Sequence, residues 1–297
     1  MKKENNLKNA ALGILYLLPA MVILGVFQIY PIIKVFLMSF YTRYNYFRHI
    51  VFEYGVDNYI QLANDPKFIL ALKNTSIFVF VMVPTSIIIS LFIATLLNSN
   101  VRFKKLFRNI YFLPFVTSTV AIAMVWRWIF HSKHGILNYG LGFIGIDPIP
   151  WLIDPKWAMV SLIILSVWKT LGYNILIILT GLQNIDKQYY MASKIDGANS
   201  WKRLTRVTIP LLSPTLFFVS ITSLIGAFKV FSEVYALFEK RPGPLNSCLT
   251  MVYYIYDKLN NQFSYGVAAA ASVVLFIIIL IITLIQFLIG KRFVHYK

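Results

Sequence analysis

Six stretches of the chain, about residues 11–38, 74–97, 109–130, 157–181, 207–231 and 266–290, are each long and apolar enough to cross a bilayer, which takes roughly 20 mainly apolar residues. Hydrocarbon offers no partner to a free backbone N–H or C=O, so runs of this length are confined to helices that satisfy those groups internally. A hydrophobic share of 58% with 13% charged residues puts the whole chain outside the soluble range. The expected fold is all-α, a polytopic membrane protein of six transmembrane helices. No Gly-, Ser- or Pro-rich linker and no short repeat divides it, so residues 1–297 read as a single membrane domain. The basic start resembles a secretory signal, but the apolar run to Phe40 is too long and lacks a small-residue cleavage site. It reads as a retained first span. Pro19, Pro31, Pro84, Pro114, Pro210 and Pro214, with Gly25, Gly172 and Gly226, interrupt the spans and predict kinked helices that cover one another's freed backbone groups.

An excess of 28 Lys and Arg over 11 Asp and Glu would ordinarily raise nucleic acid as a partner. Its distribution gives another explanation. Lys2, Lys3, Lys8, Arg102, Lys104, Lys105, Arg108, Lys187, Lys194, Lys202, Arg203, Arg206, Lys291, Arg292 and Lys297 all fall on one side of a six-span chain, in its termini and its two even-numbered loops. The other three loops hold nine basic residues over far more chain, together with eight of the eleven acids. Basic flanks face the cytoplasm and meet anionic headgroups there. Both termini are therefore expected on the cytoplasmic side, with the lipid bilayer as the partner of the charge and no nucleic acid.

Chemistry of the chain's own is mostly excluded. A lone Cys248 and four scattered His leave no material for a disulfide framework or a structural metal site. His131 and His134 stand three apart without a carboxylate or Cys beside them, too little for a metal site. No Gly-x-x-x-x-Gly-Lys-Ser/Thr loop and no Gly-x-Ser-x-Gly elbow occurs, so neither ATP binding of that kind nor that hydrolase chemistry belongs here. No Asp or Glu lies inside the apolar part of a span, which weakens an ion-coupled carrier, although backbone carbonyls can also hold a cation. No cofactor or metal is expected in this chain, and it is not expected to be an enzyme.

The loop between the fourth and fifth spans, 182–207, is the most patterned. Tyr189, Tyr190, Met191 and Ile195 supply apolar side chains, Ala192, Ser193, Gly197 and Ala198 are small, and Asp196 can cap a following helix. Two short helices joined at Asp196-Gly197 are predicted. Their small and apolar residues within a basic rim suit a docking protein and suit the inner leaflet equally.

The run Met191-Ala192-Ser193-Lys194-Ile195-Asp196-Gly197-Ala198, followed by Ile209-Pro210-Leu211-Leu212-Ser213-Pro214, resembles the EAA signature loop of permease subunits of bacterial binding-protein-dependent ABC importers. Arg241-Pro242-Gly243-Pro244 falls where that family often has Gly-Gly-Pro. The resemblance runs from about the first span to the C-terminus and is narrowest with the maltose-permease and glycerol-phosphate-permease branch. It implies cytoplasmic coupling helices, with Tyr190, Met191, Ala192, Ser193, Ile195, Asp196, Gly197 and Ala198 meeting a separate ATPase that binds the ATP and Mg. It also implies a second, different permease subunit, two ATPase copies, an extracytoplasmic solute-binding protein and a sugar cargo. The signature's leading Glu is Met191 here, which removes one exposed ion pair worth about 0–1 kcal/mol.

Lys169 lies midway along the fourth span, where a Lys costs about 2.5–3.5 kcal/mol on the insertion scale. It either serves the pathway or bonds carbonyls freed near Gly172. Lys34, Arg127 and Lys229 sit near span ends and can snorkel. Trp168, Tyr173 and Asn174 are the aromatic and amide groups a sugar needs nearby. The resemblance carries substrate contact onto Trp168, Leu171 and Gly172, and onto Phe231 and Ser232 after the fifth span. Lys169 and Lys229 leave an anionic cargo, a sugar acid or glycerol phosphate, as the alternative to a neutral sugar. A self-sufficient secondary carrier or facilitator is the rival of a different class.

Overall fold

A computed structural model describes residues 2–45, 48, 50–99 and 102–293, and the side chains among them except those of 2–11, 105 and 293. Lys297 of the charge count lies outside the described residues, as do the side chains of Lys2, Lys3, Lys8 and Lys105. In chain order the helices are α1 (Lys2–Leu24), running through a π-helical turn (Gly25–Ile29) into α2 (Tyr30–Met38); α3 (Asp57–Ala63); α4 (Pro66–Asn98); α5 (Lys104–Val116); α6 (Thr119–Ile129); and α7 (Ile136–Gly142). They continue with α8 (Pro155–Gln183); α9 (Lys187–Ile195); α10 (Ser200–Arg203), running through a second π-helical turn (Leu204–Thr208) into α11 (Ile209–Phe228); α12 (Ser232–Leu237); α13 (Met251–Asn260); and α14 (Tyr265–Phe293). Contacts gather into two units, Met1–Asp65 with Ile255–Phe276, and Pro66–Tyr254 with Ile277–Lys297.

Five helices, Leu12–Met38, Pro66–Asn98, Pro155–Gln183, Ser200–Phe228 and Tyr265–Arg292, are long and apolar enough to span a membrane. The expected third span is a different object. Leu106–Val116 and Thr119–Ile129 meet at 102°, with Thr117 and Ser118 extended between them. Pro114, inside α5, has no N–H to give and crowds the preceding turn, and the helix ends two residues later. Counting the bent pair as one span makes six.

The first unit corrects the all-α expectation in one place. Tyr41–Asn45 (β1) and Ile50–Tyr54 (β2) form an antiparallel hairpin with Tyr41 opposite Tyr54. Tyr, Val, Ile and Phe favour such a pleated, half-buried ribbon. Asn58 anchors it, donating from Nδ2 to the carbonyls of Ser39 (2.9 Å) and Tyr41 (3.1 Å). Lys258 and Asp65 form a 2.9 Å ion pair in the same unit.

In the second unit α4, α8 and α11 pack on one another, with α5 against α8 and α12 against α6. Ala94 and Leu97, Ile175, Ile178, Leu179 and Leu182, and Leu212 and Val219 form their shared apolar core. The segment after α12 is stitched onto α4. Asn74 Nδ2 donates to the carbonyls of Asn246 (3.0 Å) and Leu249 (3.2 Å), and Thr75 Oγ1 accepts from the Met251 amide (2.9 Å). Cys248 is sealed under this segment, and burial pushes its thiol up to about 12. Only the thiolate is a good nucleophile. Maleimide labelling of the folded protein at pH 7.5 should therefore be slow and become fast in SDS, read as a mass shift. Fast labelling before SDS would contradict the seal.

Candidate functional site

The cavity of interest lies in the second unit, has a volume of about 600 Å³ and takes its walls from α4, α5, α6, α8, α11 and α12, within the range of small-molecule sites. Along α8 the lining residues are Ser166, Lys169, Thr170, Tyr173 and Asn174, the i, i+3, i+4, i+7, i+8 stripe of one helical face. That periodicity sorts the sequence-based candidates. Lys169, Tyr173, Asn174, Lys229 and Ser232 line the cavity, and Trp168, Leu171, Gly172 and Phe231 do not.

The four that do not line it make other contacts. Trp168 meets the Trp126 ring edge-on at 5.5 Å, and Leu171 packs against the shared core. Gly172 faces α5 so closely that a Cβ there would overlap the Tyr111 carbonyl oxygen and stand 2.8 Å from Phe112 Cα. Phe231 packs on the rings of Tyr235 (5.3 Å) and Tyr253 (5.8 Å). Trp168, Leu171 and Gly172 lie off the lining stripe of α8, and a family position carried over by alignment keeps no memory of helix rotation.

Lys169 lines the cavity, and it is side chains rather than freed carbonyls that hold it. Its Nζ donates to Thr119 Oγ1 and to Glu233 Oε1, the latter at 2.7 Å, with side chains only 16% and 17% exposed. Freed carbonyls near Gly172 are not its recorded partners. The ion pair joins α8 to α12, and Thr119 brings in the first residue of α6. A buried pair of this kind adds little net stability, yet halving it strands a charge. Glu233 went unnoticed in the sequence because it stands two residues beyond the expected end of the fifth span. The available signal was electrostatic: an ammonium at mid-span needs a counter-ion, and Glu233 is the acid nearest a span end on that side.

Phe115 and Tyr173 stack at 5.1 Å with 24° between their planes, and both line the cavity. Phe115, just before the break after α5, and Thr119, just after it, both reach the wall. At the floor, Asn174 Nδ2 approaches Ser86 Oγ at 3.4 Å and its Oδ1 accepts from Ser223 Oγ at 3.3 Å, so one amide touches α4 and α11 at once. The walls thus offer an aromatic face, neutral hydroxyls and amides, and a paired charge. That set hydrogen-bonds hydroxyl groups in both directions and places an apolar face against C–H surfaces. Arg127 is tied as well, through an ion pair with Glu239, where snorkelling was expected. His131 and His134 stack at 5.5 Å, and His131 Nδ1 accepts the amides of Lys133 and His134, closing a turn.

At the other ends of α8 and α11 stands the expected pair of short helices. Asp186 caps α9, accepting from the Gln188 amide at 2.9 Å, and Asn199 caps α10, accepting from Lys202 at 2.8 Å. Asp196 was expected to cap the second helix. It instead ends the first, because a cap must immediately precede the helix it serves. Gly197, at φ +70°, closes α9 with the Ala198 amide donating to Ser193 O (3.0 Å) and the Gly197 amide to Lys194 O (3.1 Å). That is a Schellman motif. Tyr190 and Ser193 turn inward: Thr208 Oγ1 donates to Tyr190 Oη (3.3 Å), and Ser193 Oγ donates to Tyr190 O (2.9 Å). Ala198 is half-buried, Ala192, Asp196 and Gly197 are exposed, and three apolar side chains stand out, Ile195 at 87% exposure, Trp201 at 70% and Met191 at 56%.

The family described as Binding-protein-dependent transport system inner membrane component matches residues 86–295. The lactose transport system permease protein LacF of Rhizobium radiobacter is 42% identical over 281 residues, covering 93% of this chain and 92% of that protein. The arabinooligosaccharides transport system permease protein AraP of Bacillus subtilis (strain 168) is 37% identical over 272 residues, covering 90% and 85%. In fold, the chain superimposes with a TM-score of 0.84 on a chain of a bacterial ABC transporter involved in the import of the acidic polysaccharide alginate, at 24% identity and covering 98% and 99% of the two chains.

Proposed function

The chain belongs to the inner-membrane permeases of binding-protein-dependent ABC transporters, and on that premise we propose that it forms half of the pathway of an ATP-driven importer of neutral di- or oligosaccharides. It is a multi-pass transport subunit and not the ATPase, since permeases of this family leave ATP to a partner. The saccharide class rests on relatives named for lactose and for arabinooligosaccharides and on the chemistry of the cavity walls. The proposed contacts are Lys169, Tyr173, Asn174, Lys229 and Ser232, extended to Phe115, Thr119 and Glu233. An anionic cargo is disfavoured because Lys169, the deepest ammonium, is already neutralised by Glu233.

The observation that carries the coupling role is a matter of connection. α8 and α11 both line the cavity, and the segment joining them is α9 and α10 with their protruding apolar side chains. A partner ATPase that grips those side chains and moves with its nucleotide cycle would turn the lining faces directly, without an intermediary element. Residues 1–297 then serve as one membrane domain with both termini in the cytoplasm. The assembly would hold a second, different permease, two ATPases and an external solute-binding protein.

The test is purification in mild detergent of the tagged chain expressed with its neighbouring genes, followed by mass spectrometry. A second six-span chain and a phosphate-loop ATPase in constant proportion are expected. Recovery of the chain alone, with saccharide uptake intact in ATP-free vesicles, would instead make it a self-sufficient carrier whose short helices rest on lipid.

A further inference from the structure

We propose that Glu233 sets the charge selectivity of the cavity, holding Lys169 so that neutral saccharides are accepted and acidic ones are turned away. This rests on the reading above that a saccharide passes through this cavity. An ammonium has three donors. Lys169 spends one on Glu233 and one on Thr119. A uronic-acid carboxylate seeking that ammonium must either displace a carboxylate 2.7 Å from it or lie beside one, and two carboxylates at one site oppose each other's ionisation. Both partners are largely withdrawn from water, so screening does little to relieve that repulsion. Lys229 also lines the cavity, but it is exposed, and its long stem lets the ammonium stay in water.

For a neutral hydroxyl the same pair is favourable. One side of it donates, the other accepts, each bond is charge-assisted, and no net charge has to be desolvated. Discrimination of this sort comes from a repulsive element built against the wrong ligand as much as from contacts to the right one. Glu233 supplies that element. It comes from α12, so the cavity's selectivity is set by the short helix after the fifth span, outside the lining stripe of α8.

The experiment uses the assembled importer in detergent, with its ATPase and partner permease and without the solute-binding protein, so that delivery does not limit the readout. Calorimetric titration compares lactose and arabinotriose with digalacturonate and with a glucosamine disaccharide. The wild-type complex should prefer the neutral sugars. Glu233→Gln should raise digalacturonate binding relative to lactose by about tenfold or more, as a freed charged hydrogen-bond donor implies. Lys169→Gln should shift preference the opposite way, toward the cationic disaccharide, and the double variant should lose both shifts.

An unchanged ratio in assembled Glu233→Gln, or a wild-type complex that takes digalacturonate as well as lactose, overturns the proposal. If Glu233→Gln does not assemble, Lys169→Gln decides, and no gain for the cationic disaccharide overturns it equally. Failure of the wild-type complex to bind either neutral sugar removes the saccharide reading and this proposal with it, whereas lactose binding with unmoved ratios sinks the role of Glu233 alone.

Discussion

Gly172→Ala should cost the assembled protein several degrees of thermal stability and most of its transport, although the change adds one methyl group. The new Cβ would overlap the Tyr111 carbonyl oxygen and press on Phe112 Cα, and those are backbone atoms of α5 that cannot rotate aside. Helices in lipid associate through such close approaches, made possible by small residues at the contact. Overpacking of this kind costs about 1–3 kcal/mol, and about 1 kcal/mol shifts Tm by roughly 2–4 °C in a chain of 150–250 residues. Transport suffers for a second reason. Pushing α5 off α8 separates Phe115 from Tyr173, the two stacked rings of the cavity wall. Gly25→Ala is the control, because a Cβ there meets nothing within 4 Å. Detergent-solubilised thermal scans of both variants check the contrast, and equal Tm values would mean that α5 does not lie on Gly172.

Gly172 also shows where the sequence is legible and where it is not. The long helices are written as uninterrupted apolar runs, and the observed ends of α8 and α14 fall within a few residues of the expected 157–181 and 266–290 because hydropathy and helix length are both local properties. The two short helices at 187–203 were readable for the same reason, down to the glycine between them. The bend after Val116 was not. Pro114 announces an interruption, but a proline in a span can kink the helix or end it, and the difference lies in what Thr117 and Ser118 do in three dimensions. Nor was the pairing of Tyr41–Asn45 with Ile50–Tyr54 readable, where neither five-residue strand shows a clean alternation of apolar and polar side chains.

The site divides along the same line. Lys169 was identifiable because a charge at mid-span is costly wherever the helix points. Trp168, Leu171 and Gly172 were assigned to the substrate through alignment, yet a step of 100° per residue turns them onto Trp126, the apolar core and α5. Glu233 and Phe115 are 64 residues and a bent helix pair away from that stripe. Nothing in local composition joins them to it; only the tertiary arrangement does.

Ile195→Lys should abolish ATPase recovery with the purified chain and stop uptake while leaving the permease folded. The side chain is 87% exposed, so the substitution removes no contact within the chain. What it changes is the partner. If Ile195 enters an apolar cleft of an ATPase, the new ammonium is buried without a counter-ion, at a cost of several kcal/mol, well beyond a tenfold loss of affinity. If α9 rests on the inner leaflet, a Lys there gains about 1 kcal/mol from anionic headgroups, and transport is retained or improved. The two surfaces therefore answer the same substitution with opposite signs. Gly197→Val probes the frame that presents Ile195, since a left-handed residue with a Cβ costs about 1–2 kcal/mol and the Schellman closure at Ser193 and Lys194 would open. It should leave basal ATP hydrolysis in any recovered complex and lose its link to uptake. Gly197→Asn, which tolerates that backbone conformation, should keep the closure and with it most of the coupling. Uptake and sugar-stimulated hydrolysis measured side by side in proteoliposomes read all three variants, and normal uptake by both Ile195→Lys and Gly197→Val would place the short helices on lipid and leave α8 and α11 without a driver.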